Sequence, residues 1–331
     1  MIPYRLVYLE PVPPEVEAIV RARIPPSIDL HVRPRNQPVE EAIADADFVL
    51  VATTPIPADA IASARRLRLI QHQGVGYDQT DIAAAASRGI PVATCPAGTT
   101  SAVAEHVFLL VLAVYRRLLT ADAALRRGDW LQWDLRPTSF ELRNKTLGIL
   151  GFGQIGRRVA EVARAFQARV VYFDTVRAEP EIERRLEATF VSFDDLLSGS
   201  DVLSIHVPLT PQTRQMIGAA EIRRMKSSAV LINTARGGIV EDLALAAALH
   251  DGRLAGAGID VFGQEPLPVD HPLLSAPGTV LTPHIAAGTS DGLVAKVEAC
   301  VINMLRVADG LEPLHAVRPT SLLTGSGESI R

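Results

Sequence analysis

Short apolar runs alternate along the chain with stretches whose apolar residues recur at helical spacing. Over the first hundred residues the β-rich runs are 5–9, 47–51, 67–70 and 90–93, with helical patterns at 15–23, 58–64 and 82–88. A single long helix is predicted over 101–119, with Thr99, Thr100 or Ser101 as its N-cap. A looser segment holding Gly128, Trp130, Trp133 and Pro137 follows, and then apolar runs at 146–150, 169–173, 202–206, 229–233, 256–260 and 279–282. A helix over 291–307, stopped by Gly310, precedes a low-complexity polar tail near 324–329. Such alternation predicts an α/β protein with parallel sheets covered by helices. At 331 residues the chain exceeds what one hydrophobic core usually serves, so two domains are expected.

The run at 146–150 enters Gly151, Gly153 and Gly156 at GxGxxG spacing and then a helical pattern over 157–166. Such a turn lets backbone approach a pyrophosphate and aims a helix N-terminus at it, although a turn without a ligand can use the same glycines. The next apolar run ends at Asp174, 18 residues beyond Gly156, where a βαβ unit needs an acceptor for the adenosine ribose. A carboxylate there favours NAD over NADP, with Arg177 close by in sequence as the opposing signal.

Composition narrows the possible partners. Apolar residues make up 48% and charged residues 21%, as in ordinary globular proteins. A net charge of −4 gives no reason to expect nucleic acid or an anionic membrane. The most apolar stretch, 107–115, is about half a bilayer span and reads as a buried helix. Cys95 and Cys300 stand far apart without metal-ligand spacing, so no disulfide framework and no metal site are expected, and a cytoplasmic setting fits. No signal peptide is read at the N-terminus.

In open α/β sheets ligands sit beyond the carboxyl ends of the strands. Asp174, His206, Arg236, Asp260 and His284 each lie at or just past such an end. Singly, His206 could be a satisfied histidine, Asp260 a cap and Glu265 a solvated loop acid. Together, His284 with Glu265 offers a proton donor whose tautomer a carboxylate fixes, and Arg236 a planar fork for a carboxylate and its adjacent carbonyl. The glycine-containing loop Gly74-Val75-Gly76 has consecutive amides that could hold a carboxylate, or could be a plain turn.

The ordered set Gly74-Val-Gly76-Tyr-Asp78, Ser101-Ala-Val-Ala-Glu105, Gly151 to Gly156, His206-Val-Pro208-Leu-Thr210, Asn233-Thr-Ala-Arg236-Gly-Gly238, Asp260-Val-Phe-Gly-Gln-Glu265-Pro and Thr282-Pro-His284 resembles the D-isomer-specific 2-hydroxyacid dehydrogenases over about 47–310. The resemblance implies two Rossmann-like, doubly wound parallel-sheet domains with a cleft between them. The NAD-binding domain, 100–285, would be inserted into a substrate domain made of 1–99 plus 286–331. It implies an NAD(H)-dependent oxidoreductase interconverting a small 2-oxo acid and the D-2-hydroxy acid. Arg236 would hold the substrate, Glu265 would pair with His284, and His284 would be the acid/base. Val75 and Gly76 would take the substrate carboxylate through their amides. Gln154 and Ile155 would meet the pyrophosphate, Asp174 the ribose, Thr210 the adenosine side, and Thr234 and Asp260 the nicotinamide end. Thr100, His206 and Pro208 are expected against the cofactor too.

The family also implies a homodimer built through the NAD-binding domain. Trp130 and Trp133 resemble a Gly-x-Trp-x-x-Trp segment of glyoxylate and hydroxypyruvate reductases, and could approach the partner subunit's cleft or simply pack within their own loop. Where phosphoglycerate dehydrogenases carry an arginine, this chain has Val51-Ala52-Thr53-Thr54, which favours small acids with uncharged tails such as glyoxylate, hydroxypyruvate or pyruvate. Formate enzymes pair their histidine with glutamine, whereas Glu265 stands here. The alternatives are 3-phosphoglycerate dehydrogenase-type activity, a non-catalytic NAD-sensing binding protein, and a non-redox enzyme that retains its NAD, like adenosylhomocysteine hydrolases.

Overall fold

Continuous runs of β-branched and aliphatic residues, such as Phe-Val-Leu-Val at 48–51, suit strands buried on both faces of a parallel sheet. The computed structural model describes residues 3–318, and within them such runs build two sheets. The predicted polar tail lies outside the described residues. The chain divides into two compact units, one holding residues up to Thr99 and from Thr289 onward, the other Thr100–Gly288.

In the first unit, β1 (Tyr4–Tyr8), β2 (Ile28–Val32), β3 (Phe48–Val51), β4 (Leu69–His72) and β5 (Val92–Ala93) form a parallel sheet in the order β2-β1-β3-β4-β5. The helix Ser290–Ala308 packs on it, burying Val297, Cys300, Met304 and Val307 against Leu6, Tyr8 and Leu69. Its N-terminus is capped by Thr289, whose hydroxyl accepts from the Gly292 amide. Strand β2 was not predicted from the sequence. Its five residues carry Asp29 and His31 and sit at the sheet's edge, so the apolar signal is short and interrupted.

The second unit carries β6 (Thr146–Leu150), β7 (Arg169–Phe173), β8 (Ala188–Phe190), β9 (Val202–Ile205), β10 (Val230–Asn233), β11 (Gly256–Ile259) and β12 (Thr279–Leu281). All pair in parallel, in the order β12-β11-β10-β9-β6-β7-β8. The chain winds outward from β6 in one direction and then returns to β9 on its other side. The carboxyl ends of β6 and β9 therefore open a switch point, where such sheets bind ligands. Strand β8 was also missed, being three residues at an edge.

The single helix expected over 101–119 is two helices, Thr100–Tyr115 and Leu118–Arg126. Arg117 between them takes a left-handed φ of 51°, which ends the first helix. The first is buried along most of its length, with Val107, Leu110, Val111 and Val114 in the core under β6 and β10. Fully burying each such side chain contributes about 1.5–3 kcal/mol.

Candidate active site

At the switch point, Gly151 follows β6 with φ +94°, and a Cβ there would lie 2.7 Å from the carbonyl carbon of His206. Only glycine fits both the conformation and the contact. The turn leads into the helix Gln154–Ala165, whose N-cap, Gly153, brings no side-chain acceptor to its first amides. Gly153 and Gln154 are exposed, Ile155 is half-buried and Gly156 is buried. Uncapped amides at a helix N-terminus suit an anion such as a pyrophosphate.

At the end of β7, Asp174 accepts the Phe152 amide through Oδ2 at 2.7 Å, which fixes its carboxylate beside the glycine turn. On β9, Ser204 Oγ and His206 Nε2 are 2.8 Å apart. Desolvation lowers the His206 pKa from 6.5 to about 3. Its imidazole is therefore neutral at pH 7. Beyond it, Thr213 Oγ1 donates to the Pro208 carbonyl at 2.6 Å and accepts from the Thr210 amide at 2.8 Å, closing the 208–213 turn. Thr234, just past β10, buries its hydroxyl without a protein partner. An orphaned buried hydroxyl, open helix amides and a fixed carboxylate form a donor and acceptor set that fits a dinucleotide.

Arg236, Glu265 and His284, expected from sequence to serve the substrate, lie in the loops that follow β10, β11 and β12. Asn233 accepts from the Ala235 amide at 3.1 Å and donates to the Arg236 carbonyl at 3.0 Å, so the strand's last residue shapes the Arg236 loop. Gly237 then lies against the segment from β11, and a Cβ on it would stand 1.7 Å from the Phe262 carbonyl oxygen. That contact brings the Arg236 loop beside the Glu265 loop. Glu265 Oε1 accepts the Phe262 amide at 2.9 Å, and Oε2 is 2.7 Å from Nδ1 of His284. Burial alone would raise the Glu265 pKa; the bonds from His284 and the Phe262 amide, with the fields of His284 and Arg236, reverse this and lower it. Glu265 is therefore a carboxylate at neutral pH and accepts a hydrogen bond from Nδ1–H, which leaves Nε2 as the ring nitrogen free of that pair.

His284 itself has φ +55°, a costly conformation for a non-glycine residue. Asp260, fully buried at the end of β11, holds it there. Its carbonyl accepts from the His284 amide at 2.7 Å. Its carboxylate accepts from Thr282 Oγ1 at 2.6 Å, the Ile285 amide at 2.9 Å and the Ala286 amide at 2.8 Å. His106, from the helix Thr100–Tyr115, adds Nε2 at 3.0 Å from Thr282 Oγ1. Asp260, expected from sequence at the nicotinamide end or as a cap, thus braces the histidine loop. Thr100 is half-buried at the start of the same helix as His106.

In the first unit, the loop after β4 leaves Val75 exposed and Gly76 half-buried, and their amides have no backbone partner among the described residues. The loop after β3 donates its Thr53 and Thr54 amides to Glu10 Oε1 at 2.8 and 2.9 Å. An acidic side chain therefore occupies the loop in which an arginine is absent. Sequence reading missed Glu10, since its partners lie 43 and 44 residues away. No group of metal-ligating side chains and no helix able to cross a membrane occurs among the described residues.

Residues 108–286 match the family model described as D-isomer specific 2-hydroxyacid dehydrogenase, NAD binding domain. A glyoxylate reductase of Aeropyrum pernix is 42% identical over 281 residues, covering 83% of each chain. A D-3-phosphoglycerate dehydrogenase of Archaeoglobus fulgidus is 36% identical over 288 residues, 87% of this chain but 53% of that protein. The crystal structure of a glyoxylate reductase from Paecilomyes thermophila superposes with a TM-score of 0.82 at 30% identity, covering 97% of this chain and all of that one. The chain belongs to the D-isomer-specific 2-hydroxyacid dehydrogenase family and is an NAD-dependent oxidoreductase of 2-oxo and 2-hydroxy acids.

Proposed function

We propose that this chain is a reductase of small 2-oxo acids with uncharged tails, glyoxylate foremost, and that His284, Glu265 and Arg236 carry the chemistry. The observation that carries the reading is the 2.7 Å pair between His284 Nδ1 and a Glu265 carboxylate anchored on the Phe262 amide. Bound NADH supplies the hydride. Glu265 holds the imidazole so that Nε2 faces the substrate and gives its proton to the carbonyl oxygen; in the oxidative direction the same atom takes it back. Arg236 binds the carboxylate and polarises the carbonyl; in the first unit, Val75 and Gly76 offer amides suited to a carboxylate. The first helix amides at Gly153, Gln154 and Ile155 hold the pyrophosphate, Asp174 the ribose, Thr210 the adenosine side and Thr234 the nicotinamide end, with Thr100, His206 and Pro208 lining the cofactor. Residues 1–99 with 286–331 then serve the substrate and 100–285 the cofactor.

Glu10 in the Thr53–Thr54 loop supports the uncharged tail, because a carboxylate there repels a phosphate. Exposed Trp130, Trp133 and Leu125, beside a groove of about 380 Å³ lined by Arg116, Leu125, Trp130, Leu135 and Arg136, support a homodimer formed through the cofactor unit. Two buried free thiols, Cys95 and Cys300, suit the reducing cytoplasm.

The test is NADH oxidation with glyoxylate, hydroxypyruvate, pyruvate, longer 2-oxo acids and 3-phosphohydroxypyruvate. Glyoxylate is expected to turn over fastest. Preference for the phosphorylated acid would overturn the tail assignment, and silence across the panel with tight NADH binding would indicate a cofactor sensor.

A further inference from the structure

Arg177 follows Asp174 by three residues and is the natural cation for a 2′-phosphate at this end of β7. In the structure it is already engaged. Its Nε and Nη2 donate to Glu183 Oε1 and Oε2, both at 2.9 Å, in a bidentate pair. Glu183 is in turn fixed by Tyr172, whose hydroxyl donates to Oε1 at 2.6 Å and accepts the Ala178 amide at 3.0 Å. Tyr172 is a fully buried residue of β7, two positions before Asp174, so the clamp is built on the strand that presents the ribose-binding carboxylate. The Arg177 guanidinium also lies 5.7 Å from the Phe190 ring. Arg157, on the helix after the glycine turn, is occupied too, its Nε donating to the Phe152 carbonyl at 2.9 Å.

We propose that Glu183 is a specificity-determining residue: by holding Arg177 in a bidentate pair it withholds that cation from a 2′-phosphate, so Asp174 and Glu183 jointly exclude NADP. The inference rests on the assignment of Asp174 to the adenosine ribose. It differs from a purely structural role for the pair, which would pin the helix Pro180–Leu186 to β7 without affecting discrimination between cofactors.

Binding of 2′,5′-ADP and 5′-AMP, measured by titration calorimetry without turnover, tests it in Asp174→Ser, Glu183→Gln and the double variant. Glu183→Gln keeps an acceptor for Tyr172, and melting curves check that each variant is folded. Asp174→Ser alone should improve 2′,5′-ADP affinity only slightly, whereas the double variant should gain about tenfold beyond the product of the single effects, the scale of one strong charge-assisted contact. Adding Arg177→Ala to Asp174→Ser should change nothing, but adding it to the double variant should abolish the gain. Multiplicative single effects, or a gain that survives Arg177→Ala, would overturn the proposal. If Asp174→Ser leaves 5′-AMP affinity unchanged, the ribose assignment itself fails and the proposal with it.

Discussion

Replacing Asp260 by asparagine tests whether the buried carboxylate holds the histidine loop. One carboxylate oxygen accepts from Thr282 Oγ1 and the Ile285 amide, and the other accepts from the Ala286 amide. An asparagine has one oxygen and one NH₂, so in either orientation its NH₂ faces a backbone N–H, at Ile285 or at Ala286. The variant loses the charge assistance and leaves a donor opposing a donor at a site with no solvent exposure. An unsatisfied buried group costs about 1–3 kcal/mol and a bond to a charged group contributes about 1.5–3 kcal/mol, which together predict a loss of about 2.5–6 kcal/mol. Urea unfolding followed by far-ultraviolet circular dichroism reads this loss. Relaxation of the 282–286 segment would also let His284 leave φ +55° and move its ring, and a shift of about 1 Å costs on the order of a hundredfold in kcat. A variant within about 0.5 kcal/mol of the parent and with unchanged kcat would refute the bracing role.

Further outcomes concern the neighbouring elements. Gly237→Ala should lower both the melting temperature and kcat/KM, since a Cβ 1.7 Å from the Phe262 carbonyl oxygen must push the Arg236 and Glu265 loops apart, at a cost of about 1–3 kcal/mol or more; an unchanged melt would mean the loops part freely. His206 has a pKa lowered from 6.5 to about 3 on folding, so its stabilising contribution is present above pH 6.5 and is lost as pH falls from there toward 3, at up to about 1.4 kcal/mol per pH unit. His206→Gln should therefore flatten the fall of the urea midpoint below pH 6.5, and parallel profiles would contradict the shift. Arg236→Lys retains the charge but loses the fork, and should cut kcat/KM for glyoxylate by about tenfold or more while leaving NADH affinity, read by fluorescence titration, nearly unchanged.

What could be read from the chain follows from how far apart the interacting residues lie. The strand β6, the glycine turn and Asp174 fall within about thirty residues, so one βαβ period announces them together. The strand ends at His206, Arg236, Asp260 and His284 were legible because polar residues closing apolar runs have no place in the core of a parallel sheet. Edge strands β2 and β8 escaped because pairing on a single side tolerates Asp29, His31 and Thr189. The break at Arg117 escaped because no glycine or proline marks it. The contacts that tune the site were illegible for a different reason. Glu10 meets Thr53 and Thr54, Gly237 meets Phe262, and His106 meets Thr282, 176 residues away. None of these pairs leaves a periodic trace, because each is created only when parallel strands align their carboxyl ends. The same alignment explains the contacts of Asp260, readable from sequence as a cofactor ligand or as a cap: parallel register sets β12 beside β11 and brings the Thr282 hydroxyl and the Ile285 and Ala286 amides onto its carboxylate. A polar residue at a strand end in such a sheet therefore has two possible partners, a bound molecule or the adjacent loop, and only the register decides which of them it serves.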